Sequence, residues 1–126
     1  MYTHGIATSR KKHTASVNSS LRRLEARHRA LLAGLADIGL VLRGSINRRL
    51  TRCGNPACRC KADPPMLHGP YHIWTRKVAG KTVTAQLKPE YAALCQHWNR
   101  NMRKLDRTVR QLQAIGLRAA TSLRGL

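Results

Sequence analysis

Apolar residues recur along this chain with two different periods, and the changes of period divide it into segments. Leu21, Leu24, His28, Leu31, Leu35, Ile38 and Leu42 alternate three and four residues apart, the spacing of a heptad seam on one face of a helix. Ser19 or Ser20 can cap its start and Gly44 its end, so the pattern predicts a helix over residues 19–43. His28 reads there as a half-buried histidine at a helix contact. A second seam, Tyr91, Cys95, Trp98, Met102, Leu105, Val109 and Leu112, follows Lys88-Pro89-Glu90, where proline suits a first helical turn. It predicts a helix over residues 89–120, with Gly116 weakening the last turns and Ala119 to Leu126 fraying.

Between the seams the period shortens to two. Tyr71 to Lys77 and Lys81 to Leu87 are β-branched and aromatic runs joined by Val78, Ala79 and Gly80, which predicts a β-hairpin. Tyr71, Ile73 and Thr75 share one face, and His72, Trp74 and Arg76 the other. Each face carries an aromatic ring, so the pattern does not say which is buried. Ser45 to Arg52 reads either as a short strand or as an irregular basic lead into the next segment. The fold class expected is α+β and mainly helical, an antiparallel pair of long helices with a zinc knuckle and β-hairpin inserted between them over residues 44–88. The same seams could instead join two copies into a homodimer. Residues 1–18 show no periodicity and are expected to form a flexible basic arm, leaving 19–126 as a single domain.

The knuckle is expected because three of the four cysteines, Cys53, Cys58 and Cys60, crowd into one short loop with His68 close behind, in the spacing C-x4-C-x-C-x7-H. Thiolate and imidazole are the ligands of a closed tetrahedral zinc site, and Gly54, Asn55, Pro56, Pro64, Pro65, Gly69 and Pro70 supply the turns that fold a loop onto one ion. Cys53, Cys58, Cys60 and His68 are therefore the candidate metal ligands and zinc the expected cofactor. His72 and Cys95 compete for a place in that set, and reduced cysteines or a disulfide are the alternatives to metal. Cys95 falls on a seam, where a small buried apolar role outweighs ligation.

Charge changes the picture most. Lys and Arg number 24 against 5 Asp and Glu, a formal net charge of +19 in 126 residues. Such an excess repels itself until a polyanion neutralises it, and nucleic acid is the commonest polyanion. Arginine outnumbers lysine 17 to 7, which favours phosphate forks over diffuse attraction to a membrane. On the second helix Arg100, Arg103, Lys104, Arg107 and Arg110 fall away from the seam as one cationic ridge. Arg48, Arg49, Arg52, Arg59, Arg76 and Lys77 surround the knuckle, and Arg10, Lys11 and Lys12 lie in the arm. All are candidate nucleic-acid contacts.

Other classes lack their residues. The acids Glu25, Asp37, Asp63, Glu90 and Asp106 are scattered, so no carboxylate cluster for metal-dependent strand cleavage can be named, and no glutamate accompanies His68 as deaminase chemistry requires. Tyr71 as a strand-attacking nucleophile has no partner constellation. The chain is therefore expected not to be an enzyme. No apolar leader opens it, and its most apolar run, Leu31 to Leu42, is too short to span a bilayer and contains Asp37, so a reducing cytoplasm is expected.

At T-R-C-G-N-P-A-C-R-C, H-G-P-Y and G-K-T (Thr51 to Cys60, His68 to Tyr71, Gly80 to Thr82), preceded by Gly44-Ser45-Ile46, the sequence resembles a family of short uncharacterised bacterial proteins associated with mobile genetic elements. The resemblance spans roughly Gly44 to Glu90 and implies a zinc-binding module without an established activity. Together these readings describe a small basic nucleic-acid-binding accessory protein, DNA before RNA, with a larger protein of the same element as a further partner. An RNA-binding component of a ribonucleoprotein and a helical protein-interaction adaptor are the alternatives.

Overall fold

The first seam stops early, at a glycine. In the computed structural model, which describes residues 4–124 and the side chains of 15–124, helix α1 runs His4–Ala33. Gly34 N–H still reaches the Ala30 carbonyl (3.2 Å). Leu35, Ala36 and Ile38 then donate to carbonyls only three residues back, and the last turn tightens before the chain leaves it. Leu35, Ile38 and Leu42 thus lie beyond the helix that their spacing predicts. The backbone of residues 4–18, expected as a flexible arm, belongs to α1; the side chains of Arg10, Lys11 and Lys12 lie outside the described residues.

Three strands follow: β1 (Ser45–Thr51), β2 (His68–Val78) and β3 (Lys81–Leu87), in the antiparallel order β1-β2-β3. The β2–β3 connection is a two-residue turn in which Ala79 (φ 50°) and Gly80 (φ 80°) both have positive φ, matching the right-handed twist of the strands they join. The segment with two readings, Ser45 onward, is a strand, and its pairing from Ser45↔Thr75 to Thr51↔His68 turns the hairpin into a sheet. After Leu87, Pro89 opens α2 (Pro89–Leu123), which continues past Gly116.

The expected antiparallel pair of long helices with an inserted hairpin is therefore not the architecture. A three-stranded antiparallel sheet stands between the two helices in the chain. Two local facts overturn the expectation: the first helix ends at Ala33, just before Gly34, with Leu35, Ile38 and Leu42 of its seam unused, and Ser45–Thr51 finds a ladder partner. The chain divides into two compact units, one of α1 with α2 from Lys104 onward, the other Gly39–Arg103.

In the second unit, edge-strand burial answers which sheet face is covered. Ile46 opposite Trp74, and Val83, Ala85 and Leu87 opposite Arg76, Trp74 and His72, are half-buried, while Ser45, Asn47, Arg49, Thr82, Thr84 and Gln86 on the other face are exposed. The covered face is the one that carries Trp74. An extended strap precedes β1 and is held by α2: Asn99 Nδ2 donates to the carbonyls of Leu42 (3.0 Å) and Gly44 (2.7 Å), and Asn101 Nδ2 to that of Leu40 (2.9 Å). Leu42 N–H returns a bond to the Trp98 carbonyl, and Trp74 Nε1 caps the carbonyl of Arg43 (2.8 Å). Gly44 has φ 110°, and a Cβ there would lie 2.5 Å from the Thr75 carbonyl oxygen. Only glycine fits this closure.

Along α2 the withdrawn line is Ala92, Asn99, Met102, Thr108 and Ile115, whereas the seam positions Tyr91 and Val109 are 55% and 41% exposed. The other seam positions, Cys95, Trp98, Leu105 and Leu112, are half-buried, so the inward face overlaps the expected seam and adds the polar Asn99 and Thr108. Among the described residues no helix is long and apolar enough to cross a membrane.

Candidate metal centre

The ladder between β1 and β2 ends at the pair Thr51↔His68, so Cys53, two residues beyond Thr51, is delivered beside His68. The intervening loop must then bring back Cys58 and Cys60, and its backbone bonds show how it does so. Asn55 Oδ1 accepts from Ala57 N–H (3.0 Å) and the Asn55 carbonyl from Cys58 N–H (3.1 Å), a side-chain-capped turn of the kind asparagine favours. A single 3₁₀ turn, Arg59–Lys61, follows, and Met66 N–H closes back on the Arg59 carbonyl. Lys61 Nζ binds the Cys53 carbonyl and ties the two ends of the loop together.

Four donor atoms result, one each from Cys53, Cys58, Cys60 and His68, all within 4.8 Å of one another. Cys53 Sγ and Cys60 Sγ are 3.7 Å apart, and Cys58 Sγ is 3.2 Å from His68 Nε2. Bonds of about 2.3 Å to sulfur and 2.0 Å to nitrogen give a tetrahedron whose edges are about 3.8 Å and 3.5 Å. The sulfur pair matches its edge, and the sulfur–nitrogen pair needs only a few tenths of an ångström. A disulfide needs about 2.0 Å between sulfurs, and all four cysteines are free.

The electrostatics also suit a cation. Cys53 N–H points at Cys60 Sγ (3.4 Å), and this backbone donor is the main reason the Cys60 thiol is drawn down to about 6. This donor favours the thiolate form although the residue is fully buried. Cys53 moves the other way: a backbone hydrogen bond at Asn55 draws its thiol down, and this is outweighed by Cys58 beside it and by burial. An ion that displaces the Cys53 proton completes the charge balance. The four residues could hold a metal ion.

The two competing ligands stay outside the cluster. His72 lies along β2 between Arg48 and Leu87 with its Nδ1 buried and unpartnered, and Cys95 is half-buried on α2. The cationic candidates divide less evenly. Arg48, Arg49, Arg52, Arg59, Lys77, Arg100, Arg103, Lys104, Arg107 and Arg110 are exposed. Arg76 is half-buried, with its guanidinium 3.9 Å above the Trp74 ring and one terminal nitrogen buried without a partner. Lys77 Nζ donates to Thr82 Oγ1 at 2.8 Å. Sequence reasoning missed Asn99, Asn101 and the packing role of Trp74. The available signal was an asparagine pair in mid-helix, where asparagine is a poor helix former and needs a tertiary partner.

A family described as a domain of unknown function (DUF6788) matches residues 21–96, more than half of the chain. The chain belongs to this family. The DUF6788 match takes in the later part of α1, the strap, the knuckle, the whole sheet and the start of α2, so the four-ligand cluster lies wholly inside it. No curated protein and no solved structure matches the chain.

Proposed function

We propose that this DUF6788 chain is a zinc-stabilised nucleic-acid-binding module without catalytic activity, in which the metal ties the loop to the sheet and exposed cations grip phosphates. The observation that carries the binding half is the excess of 24 basic over 5 acidic residues, with Arg100, Arg103, Lys104, Arg107 and Arg110 all exposed on α2. Zinc is favoured over other ions because three thiolates and one imidazole form its preferred structural set. The resemblance to mobile-element proteins favours DNA over RNA and a larger protein of the same element as a partner. Metal analysis of purified protein tests the first half: one zinc per chain is expected, lost with the fold's melting temperature on Cys58→Ser and kept on Cys95→Ser. Substoichiometric metal, with a melting temperature indifferent to chelator, would sink it. Electrophoretic mobility shift with duplex DNA and with structured RNA tests the second half.

A helical adaptor is the second reading, favoured by one observation. Leu21, Leu24, His28, Leu112, Ile115 and Ala119 line an apolar groove of about 380 Å³ in the helical unit. A stable dimer that ignores DNA and RNA at physiological salt would select it.

A further inference from the structure

Three arginines, none among the contacts assigned above, converge in the helical unit. Arg23 and Arg27 stand one turn apart on α1, and Arg118 faces the same hollow from α2; with Ser20, Leu24, Leu117, Thr121 and Ser122 they line a cleft of about 510 Å³. Arg27 also lines a second hollow of about 270 Å³ with Leu31 and Gln111, so the groove continues past it.

No acidic residue lines either hollow, and among the described residues none of the three arginines has an ion-pair partner. The hydroxyls do not supply donors, because Thr121 Oγ1 donates to the Leu117 carbonyl (2.8 Å) and Ser122 Oγ to that of Arg118 (2.9 Å). Apart from the Ser20 hydroxyl, every free side-chain donor in the cleft is therefore a guanidinium N–H. Like charges on one helix a turn apart repel, and an arginine on a second helix adds to that repulsion unless an anion sits between them. Planar forks match phosphate oxygens two at a time, and a cleft of this volume admits a ligand of several phosphate groups.

We propose that the Arg23–Arg27–Arg118 cleft binds a phosphate-rich anion, either a free polyphosphate chain or the backbone of a nucleic-acid strand. The second source deepens the binding function proposed above, whereas the first stands without it. The full-length protein is titrated with inorganic tripolyphosphate by calorimetry and with a labelled twelve-nucleotide single strand by fluorescence anisotropy. Arg23→Gln/Arg27→Gln/Arg118→Gln is compared with a control of equal net charge outside both the cleft and the contacts assigned above, Arg29→Gln/Lys81→Gln/Lys88→Gln. All six side chains are exposed, so both variants keep the fold, verified by circular dichroism.

The cleft variant is expected to weaken at least one probe about tenfold or more, since charge-assisted bonds of this kind are worth about a decade each. For that probe the control should lose about threefold at most. If tripolyphosphate binds through the cleft and the strand does not bind at all, the cleft stands and nucleic-acid binding falls. If the strand alone responds, the anion is a nucleic-acid backbone. A cleft variant that binds both probes like wild type overturns the proposal, as does a control that loses as much as the cleft variant; strand binding untouched by the cleft variant leaves nucleic-acid binding standing alone.

Discussion

Asn99 lies mid-way along an amphipathic helix, where a hydrophobic plot discounts it, yet it is 4% exposed and donates to two strap carbonyls. Asn99→Ala leaves both carbonyls without that donor and should cost about 2–3 kcal/mol, read as a lower denaturant midpoint with an unchanged slope. Gly44 is the second residue on which the closure depends. Gly44→Ala forces a Cβ to within 2.5 Å of the Thr75 carbonyl oxygen and 2.8 Å of Trp74 Nε1 at a φ of 110°, and is expected to cost more than about 2 kcal/mol. Gly54→Ala is the matched control. Beside Cys53 its Cβ meets nothing within 4 Å, and thermal melts should show a change below about 0.5 kcal/mol.

At the scale of elements, the β2–β3 turn carries an avoidable strain. Its first residue, Ala79, sits at φ 50°, a region that costs an L-residue with a Cβ about 1 kcal/mol and that asparagine tolerates. Ala79→Asn should therefore stabilise the sheet by about 0.5–1 kcal/mol, seen as a melting temperature raised by a few degrees. An unchanged or lower value would show that the turn is not limiting. The turn itself was legible because Gly80 ends an alternating run. The third strand was legible only as one of two readings: Ser45-Ile46-Asn47-Arg48-Arg49 has few apolar residues, and at an edge one half-buried side chain, Ile46, suffices to set its face. Strand pairing rescued what propensity left open.

For the whole molecule the measurable consequence of a +19 charge is salt dependence. Each phosphate neutralised on duplex DNA contributes about −0.9 to the slope of log affinity against log salt, so six contacts give a slope near about −5. Changing Arg103, Arg107 and Arg110 on α2 to alanine should flatten it by about 3 units. A slope shallower than about −2 in wild type, or a triple variant that binds equally well, removes these side chains from the interface. Sequence preference should be modest, because most of the named contacts are cations suited to phosphate rather than to base edges.

The convergence of Cys53, Cys58, Cys60 and His68 was readable from residue order alone, since ligand chemistry and turn residues are local properties and the four donor atoms do come together. The start of α2 at Pro89 and the presence of the hairpin were readable for the same reason, although its turn is one residue shorter than expected because Val78 pairs with Lys81. What tertiary structure alone decided depends on residues distant in sequence. His72 is excluded from the cluster because ladder pairing places it farther along β2, beside Arg48 and Leu87. The burial of Asn99 on α2 belongs here too: a hydrophobic period assigns it to solvent, and its bonds to the strap carbonyls of Leu42 and Gly44 hold it inward. The first helix ends at Ala33 although apolar spacing continues to Leu42. Beyond Gly39 the strap carbonyls are bonded by Asn99 and Asn101 of α2, an alternative to helix that no local pattern contains.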